Sequence, residues 1–437
     1  MITTLLGRFD LTKSMQVYQL LRTGTAVITG VLLAKSGLKT EELGTWEALL
    51  FIGTLVVFTG VNGLLQAISP SYLQQSEQER PVFMQEVVLL FFALGGAIFT
   101  ILLLFENILV PFFTGHSSLP GFGWYALFLF LQLPSLPTEI HFLVKNRPAA
   151  IFWWGLLGFG AQVIAVVIPA WWGWGLELML QVLCAQAAVK LVFTFWIVGP
   201  IRSLQVQQKR ITQYIQLAWP LVAASFVGNL IVFFDTWLVA HWFSDLSTFA
   251  IYRYGSRELP FALALASALG TSMVPRLIGN FNKGLQELRT RSATMFHVVF
   301  PSTILLLLTV HEWFPVVFNQ ALAPAASLFA IYLLLSLSRV LLPNSILVAL
   351  SDVRIIWIVS LAELTVKVGT GWLFLHWWGL EGLAWSAILS FWFEKLALIS
   401  WLWRKHSLPP SKWLHWKLYL LYTFLVAFVF GIVHGGY

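Results

Sequence analysis

The sequence predicts an all-α polytopic membrane protein, and three observations carry that prediction. Hydrophobic residues fill 58% of the 437 positions and charged residues only 10%, with a mean hydropathy of +0.80. Soluble domains carry about 25% charge, so a water-soluble globule is excluded. The apolar residues gather in runs of about 20, the length that crosses a bilayer as an α-helix. Lysine and arginine concentrate in alternate loops between those runs, which is the positive-inside pattern.

Thirteen spans are expected, at about 17–36, 44–68, 84–105, 122–144, 149–171, 175–199, 214–240, 248–276, 293–318, 322–349, 354–377, 380–403 and 414–434. Runs this long are helices, because a lipid-exposed backbone must satisfy its own polar groups. One set of loops holds Arg8 and Lys13, Arg80, Lys145 and Arg147, Arg202, Lys209 and Arg210, Arg276, Lys283, Arg289 and Arg291, Arg354, and Arg404, Lys405 and Lys412. The alternate set holds only Lys35 and Lys39. The N-terminus is therefore expected in the cytoplasm, and thirteen spans put the C-terminus outside; a span more or less reverses that end. Met1–Gln16 contains no apolar core of a cleavable signal, so the first span is expected to serve as its own insertion signal.

Tryptophan collects at headgroup level. Many of the 22 tryptophans fall at span ends: Trp153, Trp154, Trp171, Trp172, Trp174, Trp377, Trp378, Trp401, Trp403, Trp413 and Trp416. The single cysteine, Cys184, excludes an intramolecular disulfide, and its apolar surroundings suit a small packed hydrophobe. The longest cytoplasmic stretches are Ile201–Gln213 and Asn280–Ser292, and the outward loops are short. The first stretch is rich in Gln and basic residues, which suits either a solvated linker or contact with the anionic inner surface.

A weak internal repeat relates Leu43–Trp46 to Leu246–Phe249, and Ser69–Leu73 to Val274–Leu277, at an offset of about 203–205 residues. An even number of spans separates the copies, so both insert the same way up. The expected organisation is an N-terminal six-helix lobe at 1–200, a cytoplasmic linker at 201–213, a C-terminal six-helix lobe at 214–404 and an extra C-terminal helix at 405–437. Carriers often place their substrate between such repeats.

Residues 213–277 carry the densest chemistry. Two apolar segments run back to back there, with Asp235 in the first and Arg253, Arg257 and Glu258 in the second. Intramembrane charges face a bundle interior or a cavity. Asp235 and Arg253 lie at nearly equal depth in the expected hairpin, which suits a structural salt bridge or an ion-coupling acid held by an arginine. Arg257 lies one turn deeper, with Glu258 about 100° around the helix, and so lacks an obvious partner in the hairpin. Its planar fork suits phosphate, the alternative being an arginine that reaches outward to the interface.

Further groups fall near mid-span: Lys190, Arg339, Glu363, Lys367, Glu394 and Lys395. Glu363 and Lys367 have the favourable i, i+4 order. Glu363, Glu394 and Lys395 suit an ion network across spans ten to twelve, whereas the excess of cations suits a wall for a diphosphate. Arg22 and Lys190 are first-lobe candidates to face Arg257. No Walker loop, nucleotide-binding glycine fingerprint or zinc-protease motif is present, and the nine histidines show no metal spacing. Pro134, Pro137, Pro220, Pro260, Pro301 and Pro343 kink their helices, for motion or for static shape.

Along the chain stand, in order, Arg22, Lys39–Gly44, Pro220, Asp235, Phe249–Tyr254, Pro275, the basic stretch Lys283–Arg291, Ala325-Ala326, Ser351–Arg354 and Gly379–Ala384. In these the chain resembles the polysaccharide-exporter branch, the Wzx-type flippases, of the multidrug/oligosaccharidyl-lipid/polysaccharide superfamily. The resemblance covers most of the chain. It implies two six-helix lobes forming a V around a central cavity that opens to alternate sides. Twelve to fourteen spans are usual in this branch, so thirteen departs from an even count.

What the resemblance implies is a non-enzymatic flippase in a bacterial plasma membrane. Its substrate would be an undecaprenyl-diphosphate-linked oligosaccharide, an O-antigen or exopolysaccharide repeat. Arg257, Arg253, Arg22, Lys190, Arg339 and Lys367 would meet the diphosphate, and Asp235 would carry a coupling ion. No cofactor, metal or nucleic acid is implied. A monomer among membrane lipids is expected, with a polysaccharide polymerase and glycosyltransferases nearby. The rivals are a cation-coupled multidrug exporter of the same superfamily, which favours buried acids in the first lobe, and a membrane glycan polymerase or ligase, which usually needs a long outward catalytic loop. A structural scaffold leaves the mid-span cations unexplained.

Overall fold

A computed structural model describes residues 11–55, 59–199, 207–243 and 245–435. Arg8 and Arg202, most of the expected linker, and Ser244 between the two segments of the expected hairpin lie outside the described residues. The described residues form helices without strands, and ten of those helices are long and apolar enough to cross a membrane. The protein is therefore a multi-pass membrane protein. It packs as two units, Met1–Ala250 and Ile251–Tyr437.

The first unit begins with α1 (Leu11–Ala34), α2 (Thr40–Gly53), α3 (Thr59–Gln74), α4 (Arg80–Leu104) and α5 (Glu106–Thr114). The Lys39 amide donates to the Glu42 carboxylate at 2.9 Å, which caps the start of α2. Next comes a broken helix: α6 (Phe122–Gln132), a 3-10 turn at Leu133–Ser135, and α7 (Pro137–Val144). Pro134 and Pro137 each lack an amide hydrogen, which accounts for the break. The unit continues with α8 (Pro148–Trp171), α9 (Gly175–Val198) and α10 (Gln208–Trp242).

α10 lies along α3. A Cβ at Gly63 would collide with the Val222 backbone nitrogen, so the two helices touch backbone to backbone. Tyr214 anchors the start of α10, its hydroxyl donating to the Leu64 carbonyl at 2.7 Å. Arg210, 7% exposed, ties the same end to α4 through Glu86 at 3.4 Å, and also donates to the neighbouring Gln207 side chain at 2.6 Å.

The expected eighth span is not one helix. α11 (Leu246–Gly255) stops, Ser256–Leu259 is non-helical, and α12 (Pro260–Gly279) restarts. The residue before a proline is pushed out of the helical region, and Leu259 is extended at φ −65°, ψ 108°. Arg257 and Glu258 are therefore loop residues between two half-helices, and the helical spacing assumed for them does not hold.

The second unit then runs through α13 (Phe281–Val317) and a second broken helix, α14 (Ala325–Leu333), α15 (Leu335–Arg339) and α16 (Pro343–Ala349). α17 (Val353–His406), α18 (Pro410–Trp413) and α19 (Trp416–Gly435) follow. The expected loop at Asn280–Ser292 is instead the first three turns of α13: the Asn280 side chain caps it at the Lys283 amide, and Glu287 pairs with Arg276 and Arg291. α17 has 54 residues, about 80 Å at 1.5 Å per residue, far more than the roughly 30 Å hydrocarbon core. Gly379, at φ 59° and ψ −140°, divides it in two.

The offset seen in the sequence recurs in the backbone. Asn146 and Ser351, 205 positions apart, both have positive φ and both precede a helix, α8 and α17. Gly379 stands 204 positions beyond Gly175, and both are left-handed breaks between apolar helical runs. α6 and α14 begin 203 positions apart, and both open a broken helix.

Most span-end tryptophans are exposed, as a headgroup position requires, but Trp413 is buried in the short helix α18. Cys184 is buried and its thiol donates to the Trp124 carbonyl at 3.1 Å.

Candidate functional site

The clearest cavity of the second unit has a volume of about 560 Å3. One wall is α12, where Ala266, Ser267, Gly270 and Thr271 are too small to fill it. The facing wall is the broken helix α14–α16, which contributes Arg339, Asn344 and Ser345, and α17 adds Lys395. Breaking the helix at 340–342 lets Arg339 end one segment while Pro343 opens the next.

Arg339 and Lys395 are the charged residues lining this cavity, and both are cations. Their acidic partners are not part of the lining. Arg339 Nε and Nη2 donate to the two carboxylate oxygens of Glu258 at 2.8 and 2.6 Å, and its guanidinium lies 3.9 Å from the Phe391 ring centre. Lys395 Nζ is 2.8 Å from Glu394, whose other oxygen accepts from Asn344 Nδ2 at 3.3 Å. Two discontinuous helices thus meet at the Glu258–Arg339 pair. A planar bidentate pair fixes orientation as well as charge.

Glu363 and Lys367 are deeper, at 3% and 1% exposed. The charges that act on Glu363 are Glu394, Lys395, Arg339 and Lys367. Within this cluster, the expected excess of cations is offset by a loop carboxylate. Once Glu258 is included, three cations (Arg339, Lys367, Lys395) face three carboxylates (Glu258, Glu363, Glu394).

The first unit holds a different cluster. Lys190, 8% exposed on α9, stands 5.5 Å from the Trp154 ring centre and 5.7 Å from that of Phe159. Glu139 of α7 and Tyr18 of α1 are buried beside one another, with Lys190 and Arg22 acting on the carboxylate. Arg22 itself is exposed. Lys190 and Lys395 are 205 positions apart, the separation that relates Asn146 to Ser351, and each has a carboxylate beside it.

The hairpin candidates fall in different units. Asp235 is 6% exposed in the first. Arg253, half-buried in the last turn of α11, and Arg257 belong to the second. The Arg257 guanidinium lies 4.5 Å from the Tyr254 ring centre, a cation–π contact. Sequence reasoning missed Glu139 and the pairing role of Glu258. A carboxylate inside an expected span was signal enough for the first; the second needed the break at Pro260 to be read as a stop rather than a kink.

No family model matches the chain and no curated protein matches it, but solved structures do. It is similar to the lipid II flippase MurJ in an inward closed conformation, with a TM-score of 0.69 at 16% identity, covering 96% of this chain and 98% of that one. It is similar to an outward-facing multidrug resistance MATE family transporter of the MOP superfamily, with a TM-score of 0.55 at 13% identity, covering 97% and 98%. A MOP superfamily transporter from Pyrococcus furiosus, described as having a binding pocket of reverse polarity, gives a TM-score of 0.54 at 14% identity, covering 97% and 98%. The likeness is one of fold, shared with a flippase and with drug transporters alike; the polysaccharide-exporter branch is not singled out by it.

Proposed function

We propose that this chain is a flippase for an anionic, lipid-linked oligosaccharide, working by alternating access in a bacterial inner membrane. The observation that carries the reading is the second-unit cavity, whose charged lining is Arg339 and Lys395 while their paired carboxylates are outside the lining. An arginine and a lysine at a cavity wall suit a diphosphate, which needs substitutes for its lost hydration. Ser267, Thr271, Asn344 and Ser345 add neutral polar groups of the kind that meet sugar hydroxyls. Broken helices at a binding site are a recurring device of secondary transporters. The thirteen-span, two-lobe arrangement belongs to the same reading, with Arg257, Arg253, Arg22, Lys190 and Lys367 as further contacts and Asp235 as the coupling acid.

A cation-coupled drug exporter is the second reading, and one observation favours it. Glu139 and Glu47 are buried acids of the first unit, where such an exporter would hold its cation. The fold is equally compatible with both. Leaflet transfer in liposomes separates them. Protein reconstituted with a labelled short-chain lipid-diphosphate-sugar is expected to expose the label to an impermeant reagent. Lys395→Gln, which removes one charge-assisted contact, is expected to slow transfer roughly tenfold or more, and Arg257→Ala reports on the loop arginine. No lipid transfer, with export of an organic cation under an ion gradient abolished in Glu139→Gln, would establish the exporter instead.

A further inference from the structure

We infer that Glu363 is a proton site linked to anion occupancy of the second-unit cavity: it takes up a proton when an anion engages Arg339 and Lys395. This rests on the anion-transport reading above and names its linked ion.

The argument begins with charge balance. Among the described residues of this cluster, Arg339, Lys367 and Lys395 stand against Glu258, Glu363 and Glu394. An anion in the cavity makes the group net negative. Inside a membrane protein an uncompensated charge is expensive, and the smallest available remedy is one proton on one carboxylate.

The hydrogen bonds say which one. Both Glu258 oxygens accept from Arg339, at 2.6 and 2.8 Å. Glu394 meets Lys395 through one oxygen and Asn344 through the other. A proton on either would disrupt a contact already made. Glu363 is 3% exposed, and its Oε1 has no hydrogen-bond partner. Protonating that oxygen disrupts no hydrogen bond. It also relieves repulsion from Glu394, the like charge that acts on Glu363 from the other half of α17. The remaining charges on Glu363 are Lys395 from that same half, Arg339 from α15 and Lys367 one turn along its own helix.

Glu363 does not line the cavity. It acts through the cations: while ionised it competes with the incoming anion for Arg339 and Lys395, and once neutral it releases them. Linkage is reciprocal, so a protonated Glu363 strengthens anion binding by the same factor that a bound anion strengthens protonation.

The test measures binding to the full chain in lipid nanodiscs, from about pH 5.5 to about pH 8.5. The probes are a labelled short-chain lipid diphosphate and, separately, inorganic pyrophosphate. Wild type is expected to lose affinity as pH rises, at most about tenfold per pH unit for one linked proton. Calorimetry in buffers of different ionisation enthalpy is expected to register that proton. Glu363→Gln, nearly the same shape and always neutral, is expected to bind at every pH with the affinity wild type reaches in acid, and to take up no proton. Glu394→Gln, which leaves the cluster with one cation in excess and removes the like charge beside Glu363, is expected to weaken the pH dependence. A slope that survives in Glu363→Gln, or binding without proton uptake in wild type, overturns the inference while the transport reading stands. Pyrophosphate bound with a proton but no lipid bound would keep the inference and remove the lipid substrate. If neither anion binds, both fall.

Discussion

At the scale of single residues, charge in this chain was legible and its pairing was not. Lys190, Arg339, Glu363, Lys367, Glu394 and Lys395 are ionisable groups inside apolar runs, and five of the six are less than 9% exposed. Arg339 pairs with Glu258, 81 positions earlier, and no local pattern points there. Asp352 offers a comparable case outside the spans. It sits between α16 and α17 and accepts from Trp401 at 2.9 Å, Lys405 at 2.8 Å and His406 at 2.9 Å. The hydrogen bonds from Lys405, then Trp401, then His406 hold its carboxyl well below the usual carboxylate range. A group with a depressed folded value stabilises above its unfolded value, near 4, and that contribution disappears as pH falls through the folded value. Asp352→Asn is therefore expected to lower the thermal unfolding midpoint at pH 7 in detergent. The difference from wild type should shrink steadily below about pH 4. Equal midpoints at pH 7 would show that the clasp contributes nothing.

At the scale of elements, hydropathy located the helices but not their interruptions. Uniform apolar character is what a lipid-facing helix needs, and it carries no mark of where the helix stops. Prolines and left-handed positions carry that mark: Pro134 and Pro137 accompany the break at 133–135, Pro343 reopens the chain after Arg339, and Gly379 divides α17. Pro220 and Pro301 sit inside continuous helices, so proline alone does not decide. What distinguishes Pro260 is the extended Leu259 before it and the Glu258–Arg339 pair, which holds the intervening loop against α15. Pro260→Ala restores an amide hydrogen and lifts the restriction on Leu259, which favours a helix running from α11 into α12. Such a helix would carry Glu258 away from Arg339. The expected outcome is a variant that folds, with its unfolding midpoint close to wild type, but transfers lipid several-fold more slowly. An unchanged transfer rate would mean the break is shape rather than mechanism.

At the scale of the whole molecule, orientation depends on loop charge and the span count on how interrupted helices are divided. A criterion of length and hydropathy finds ten crossing helices among the described residues, whereas the sequence pattern expects thirteen. α17 explains part of the gap, since its two halves on either side of Gly379 form one continuous assignment. α10 is a further candidate: its 35 residues include the uncharged apolar run 217–234, long enough to cross. Chemistry can count the crossings, because Cys184 is buried and the native chain should be inert to an impermeant maleimide. Single cysteines then report sidedness. Ser117→Cys, exposed after α5, is expected to label from outside the cell, and Ser411→Cys, exposed in α18, only after the membrane is opened. A cysteine appended after Tyr437 decides between odd and even. Labelling from outside requires an odd number of crossings and fits thirteen. Protection there, with Ser411→Cys labelled from outside, would mean that one of the interrupted helices does not cross, and protection at both positions would mean that α19 does not.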